Sequence, residues 1–169
     1  MTKRTKHVKT EPEVCPFVIQ VDQREKAPYR FEGIEKDDQE IVVPTESVHI
    51  KTGDYTIRGL SDKIAIERKS LVDLYGSVGR NRDRFCAEHE RLAQFERAAV
   101  VIEASWYTIM HWPPDMSKLS PRVVWRTHAS WFTRFGVPWF TLEDRRLSEL
   151  FTFQLLDRFW RHDNGARAE

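Results

Sequence analysis

Cysteine is scarce in this chain: Cys15 and Cys86 lie far apart and belong to no C-x-x-C pair or Cys/His cluster. That spacing excludes a disulfide framework, argues against zinc, and makes reduced thiols in a cytoplasmic protein the expectation. No run of about 18 apolar residues occurs, so no membrane span and no membrane partner is predicted. The opening stretch MTKRTKHVKT is basic, with no apolar segment behind it, and no secretory signal is expected. Charge of one sign is lacking as well, since 27 Lys and Arg stand against 26 Asp and Glu for a net charge of +1. No global field announces a nucleic-acid or membrane partner; any such partner has to be met by a local patch. Internal repeats and low-complexity segments are absent, and the six histidines show no metal-ligand spacing.

What is present suits one folded unit. The chain has 169 residues, 40% hydrophobic, including ten Phe and six Trp, which is ample for a single core. Residues 1–14 read as a flexible basic arm, 15–164 as the domain and 165–169 as a tail. PFVIQVD (16–22) is a strand with Phe17, Ile19 and Val21 on one face and Asp22 at its carboxyl end. The stretch after Glu40 reads as short strands broken by Pro44 and Gly53, with Asp54 where the chain re-enters a strand. DKIAIERK is the next strand, and Ser70 with Asp73 marks the cap of a following helix. A helix over about 82–97 leads to the apolar strand AAVVIEAS, a strand–helix–strand crossover. Residues 105–117 read as a Trp-rich loop. Ser120, Pro121 and Gly136 punctuate another helix, VPWFTL is a strand, and a last helix runs over about 145–162. A mixed α/β sheet flanked by helices is the expected architecture.

The strand IAIERK ends on three consecutive charges. Its period places Ala65, Glu67 and Lys69 on one face and Ile64, Ile66 and Arg68 on the other, so a carboxylate and an ammonium project together. The RGLSD turn allows Asp54 to stand opposite Glu67. Two carboxylates so close repel one another unless a hard cation sits between them, and magnesium is the candidate. A bound divalent ion activates water and stabilises charge on a phosphoryl oxygen, while Lys69 orients or polarises that water. The same charges could instead be a solvated edge that blocks aggregation.

These residues resemble a known family. GDY at Gly53–Tyr55 followed by IERKSLVDL is similar to the GD…ERKxxxD signature of the XPF family of structure-specific endonucleases, a branch of the restriction-endonuclease-like superfamily. VDQRE at Val21–Glu25 is similar to that family's D-x-R-E element. The resemblance implies a restriction-endonuclease-like fold with Asp22, Asp54 and Glu67 as metal ligands for Mg2+, with Mn2+ as a substitute. It implies Lys69 as catalytic lysine, with Arg24, Glu25, Arg68 and Asp73 in support. Asp73 could equally serve only to cap the helix begun at Ser70, and Arg24 with Glu25 could be an exposed ion pair.

DNA is the expected partner, branched or structured, in repair, recombination or replication. Arg80, Arg82 and Arg84, and Arg122 and Arg126 on the later helix, are candidate phosphate contacts. The family's tandem helix-hairpin-helix motifs and helicase are not expected in this chain. A Holliday-junction resolvase of the same superfamily and a non-cleaving DNA-binding subunit remain alternatives. On the last helix Phe153, Leu156 and Trp160 form a second apolar line beside the core stripe, which predicts a homodimer. The segment 105–117 could also fold back over that line.

Overall fold

The computed structural model describes residues 12–36 and 39–165; residues 1–11 of the expected arm and 166–169 of the expected tail lie outside the described residues. The chain runs through β1 (Glu13–Val14), β2 (Ile19–Asp22), β3 (Ile34–Lys36), β4 (Gln39–Val42), β5 (Thr45–Val48), β6 (Tyr55–Ile57) and β7 (Ile64–Lys69). It continues through α1 (Leu71–Val78), α2 (Arg82–Leu92), β8 (Arg97–Ile102), α3 (Trp106–His111), α4 (Pro121–Phe135), β9 (Trp139–Thr141) and α5 (Arg145–Asp163).

Alternation along the central strands sorts the core into two layers. Ile64 and Ile66 of β7 and Ala99 and Val101 of β8 face α5, where Phe153, Leu156 and Phe159 are buried against them. Ala65, Val100 and Ile102 face the other way, under Leu74, Tyr75, Phe85, Leu92, Val124 and Trp131 of α1, α2 and α4. The sheet between has six strands in the order β5-β2-β6-β7-β8-β9. β6 is antiparallel to β2 and to β7, whereas β7, β8 and β9 run parallel, joined first by α1 and α2 and then by α3 and α4. A small sheet, β1-β4-β3, contributes Ile34 and Ile41 to the α5 layer. The expected mixed sheet flanked by helices is the fold observed.

Most boundaries follow local chemistry. The Ser70 hydroxyl accepts the Asp73 N–H at 3.1 Å to start α1, and Gly136 takes a left-handed φ of 71° to end α4. Three segments differ from expectation. Residues 13 and 14 of the expected arm pair with β4. α2 stops at Leu92, because Arg97 already pairs with Ile64 as the first residue of β8. The Trp-rich segment holds a short helix, α3, started by the Ser105 hydroxyl accepting the Thr108 N–H at 3.2 Å.

The largest correction concerns α5. Phe153 and Leu156 are buried, and Trp160 stacks on Phe17 with ring centroids 5.7 Å apart. The line expected to be a free second face is therefore the inward one. Phe17 leads into β2 and shares one buried layer with the central strands and α5, so this line packs into the core. No described helix is long and apolar enough to cross a membrane.

Candidate active site

Antiparallel pairing brings three chain ends to one place: the carboxyl end of β2, the amino end of β6 and the carboxyl end of β7. The Asp22 N–H donates to the Asp54 carbonyl and the Asp54 N–H to the Ile66 carbonyl, both at 2.8 Å. Tyr55 pairs with Ile66, and continuing that register sets Asp54 against Glu67. Gly53 makes the approach possible. It adopts φ of 83°, and a Cβ there would lie 3.2 Å from the Ile66 carbonyl oxygen.

Glu67 and Lys69 project together, as the strand period requires, and form an ion pair in which the carboxylate side chain is 6% exposed. The Lys69 ammonium also sits 5.0 Å from the centroid of the Phe85 ring, which α2 supplies from behind. Asp54 Oδ2 accepts the backbone N–H of Arg68 at 2.7 Å. Burial pushes the Asp54 carboxyl up from 3.8 to about 7, against the pull of the Arg68 N–H and the Lys69 charge. Burial, then repulsion from Asp54, holds Glu67 well above its ordinary value. Burial opposes the charge of Lys69, but Glu67, Glu88 and Asp54 outweigh it and keep the ammonium protonated. The site is thus a lysine held between two carboxyl groups that resist ionising together.

Asp22 is 3% exposed, and its carboxylate is taken up by Arg24, which donates through its backbone N–H at 2.8 Å and its guanidinium at 2.5 Å. Burial disfavours the Asp22 charge, yet the Arg24 bonds prevail and hold the carboxyl below its ordinary value. Arg24 and Glu25 take different partners, Asp22 and Arg68, the latter at 3.3 Å. Arg68 also makes a two-pronged contact with Glu103, both bonds at 2.7 Å. Arg145 at the start of α5 reaches the same Glu103 at 2.8 Å, and both guanidinium groups lie over the Tyr29 ring, at 5.7 and 4.9 Å. This knot fixes the end of β7 to β8, α5 and the loop after β2. Asp73 is exposed, and its Oδ2 accepts the Ser70 hydroxyl at 2.6 Å, so its contacts are those of a helix cap.

The candidate DNA contacts Arg80, Arg82, Arg84, Arg122 and Arg126 are all exposed. Arg82 is engaged within the fold: it donates to the Thr127 hydroxyl at 2.7 Å and lies 5.1 Å from the Trp131 ring, pinning α2 to α4. Sequence reasoning missed Glu103, Arg145, Tyr29 and Glu88. Glu103 ends the apolar strand VVIE parallel to ERK, a signal that could have found it. Glu88 lies one turn beyond Phe85 on α2, and its charge acts on Asp54, Glu67 and Lys69 alike.

Among the described residues no group of three or more His, Cys, Asp and Glu is gathered to hold a metal ion, and the Asp22 carboxylate is paired with Arg24. The facing carboxyl groups of Asp54 and Glu67 nevertheless fit a hard divalent cation, which removes their mutual repulsion. Magnesium characteristically takes one or two carboxylates and fills its remaining positions with water and phosphate oxygens.

A family model described as the ERCC4 domain matches residues 21–155. Among solved structures the chain is similar to XPF from Aeropyrum pernix, at 19% identity and TM-score 0.57, over 87% of this chain and 65% of that one. It is also similar to XPF from Aeropyrum pernix in complex with DNA, at 20% identity and TM-score 0.59, over 90% of this chain and 68% of that one. The chain spans just under two thirds of the length of the first of these, and the likeness carries the fold. No curated protein matches the chain.

Proposed function

The chain belongs to the ERCC4 domain family, and on that premise we propose that it is an XPF-type, metal-dependent endonuclease. It hydrolyses phosphodiester bonds in branched or structured DNA such as forks, flaps or junctions, the substrates of repair and recombination. The observation that carries this reading is the facing of Asp54 and Glu67 beside a buried, protonated Lys69.

Asp54 and Glu67 are the residues that would hold Mg2+ or Mn2+. When bound, the ion supplies a water of lowered pKa and neutralises charge on the phosphoryl oxygen. Asp22, paired with Arg24, stands at the adjoining strand end as a third candidate ligand. Lys69 donates a hydrogen bond to the attacking water or to a phosphate oxygen. Arg68, occupied by Glu103 and Glu25, keeps the strand end in register and takes no part in the chemistry itself. Exposed Arg80, Arg84, Arg122 and Arg126 meet phosphates and position the DNA without reading its sequence. Pairing with a second copy is proposed on the family likeness alone, since α5 offers no free second stripe.

The test is cleavage of a labelled fork by wild type and Glu67→Gln, in Mg2+ or EDTA. Cleavage only by wild type with Mg2+ supports the reading. Equal cleavage by Glu67→Gln removes its basis.

A further inference from the structure

A string of rings runs along the outer side of α4 and is used by nothing in the proposed chemistry. The Trp125 ring meets Trp106 edge-on at 4.9 Å, Trp106 meets His128 at 5.0 Å, and His128 meets Phe132 at 6.4 Å. Its two ends, Trp125 and Phe132, are each 51% exposed. Seven residues of helix separate them, about 10 Å.

Charge accompanies the rings. Arg122 and Arg126 stand one turn apart on either side of Trp125 and are exposed, and among the described residues neither is engaged by a carboxylate. α4, PRVVWRTHASWFTRF, has three arginines and no acidic residue. Its position matters too. α3 begins directly after Glu103, at the end of β8 where Arg68 and Glu103 close the site, and α4 returns from there toward the start of β9. The amino-terminal half of α4, with Arg122, Trp125 and Arg126, therefore lies toward the catalytic edge.

We propose that the Trp125–Trp106–His128–Phe132 track is a stacking platform for single-stranded DNA, with Arg122 and Arg126 holding its phosphates. The inference rests on the endonuclease reading for the identity of its ligand. The half-exposed rings of Trp125 and Phe132, backed by the partly buried Trp106 and His128 and flanked by guanidinium groups that no described carboxylate engages, suit unpaired bases, which offer their own faces, whereas the bases of a duplex are already stacked on one another. A protein partner would find the apolar stripe but no carboxylates with which to meet the arginines' needs from its own side unless it were acidic; a polyanion supplies that charge at every residue. The platform would hold a few nucleotides of the unpaired arm of a branched substrate leading away from the site.

The test is fluorescence anisotropy with a labelled oligo(dT) strand and a labelled hairpin duplex, in EDTA so that metal-dependent cleavage cannot contribute. The full chain is compared with Trp125→Ala/Phe132→Ala and with Trp125→Phe, each checked for folding by circular dichroism. Expected is a loss of about tenfold or more in affinity for the single strand in the double variant, duplex affinity within about twofold of wild type, and near-complete retention by Trp125→Phe. Equal losses for both DNAs, or no loss, would overturn the platform. So would a change in particle mass by light scattering, which would make this face a contact between copies. If wild type failed to cleave in Mg2+ yet kept the ring-dependent preference for single strands, the endonuclease reading would fall and the platform would stand.

Discussion

Replacing Asp54 by Asn should stabilise the metal-free protein, and by an amount that grows with pH. Asn keeps the volume and an oxygen to accept the Arg68 N–H, while removing the charge that burial penalises. The folded-state carboxyl is raised from 3.8 to about 7, so the native protein holds a proton that the unfolded chain has released. That contribution to stability is intact below the unfolded value and is lost as pH rises through the folded one. The full displacement corresponds to roughly 4 kcal/mol at high pH and to less than about half of that near about pH 5. Asp54 keeps some contact with water, so the advantage of Asn should grow by about 1 to 3 kcal/mol between about pH 5 and about pH 8. Urea denaturation in EDTA reads this directly; removing the Asp54 charge also relieves Glu67, so the difference between variants reports the pair. In a domain of this size the increment is several degrees in Tm, at about 2 to 4 °C per kcal/mol. An advantage that is flat with pH, or a destabilised Asn variant, would refute the claim that Asp54 is held against its own charge.

Other perturbations discriminate further. Lys69→Arg keeps the charge but replaces a compact ammonium by a planar fork between Glu67 and the Phe85 ring, so DNA affinity should stay near wild type while the cleavage rate falls at least about tenfold. A near wild-type rate would make the lysine an electrostatic anchor only. His89 is fully buried, accepts the Trp139 indole N–H at 2.8 Å through Nε2 and contacts the Phe85 carbonyl through Nδ1, so it is neutral, and burial lowers its pKa. Stability should therefore fall as pH drops below the ordinary histidine range, and His89→Phe should cost about 1 to 3 kcal/mol at neutral pH while losing that acid dependence; denaturation at a series of pH values checks both. Trp160→Glu, which breaks the stack on Phe17, should lower stability by about 2 kcal/mol or more without changing particle mass. A folded monomer produced from a dimer would reinstate α5 as an interface.

The catalytic end of the sheet was legible because its determinants are local. A period of two put Glu67 beside Lys69, and the short turn after β6 put Asp54 opposite. Glu103 and Arg145 were hidden because a parallel crossover and the start of the last helix deliver them from 35 and 42 residues away in the contacts that matter. Nothing in GRNRDRF foretells the bond that Arg82 makes to the Thr127 hydroxyl, 45 residues on. Asp22 is expected as a metal ligand on the family resemblance, and nothing in VDQRE foretells that Arg24, two residues later, folds back upon it. The α5 error has a different origin. Periodicity shows how many apolar lines a helix has, but not which of them faces the sheet, and here the line of Phe153 and Leu156 does.

The central claim is metal-dependent cleavage of structured DNA at the Asp54–Glu67–Lys69 site. It is tested most directly by incubating wild-type protein with labelled fork, flap, four-way junction and linear duplex DNA, with Mg2+ and with EDTA. The account predicts discrete cuts in one or more branched substrates with Mg2+, none in EDTA, and far less cutting of the linear duplex. Binding without cleavage of any substrate in Mg2+ or Mn2+, or cleavage undiminished in EDTA, would contradict it.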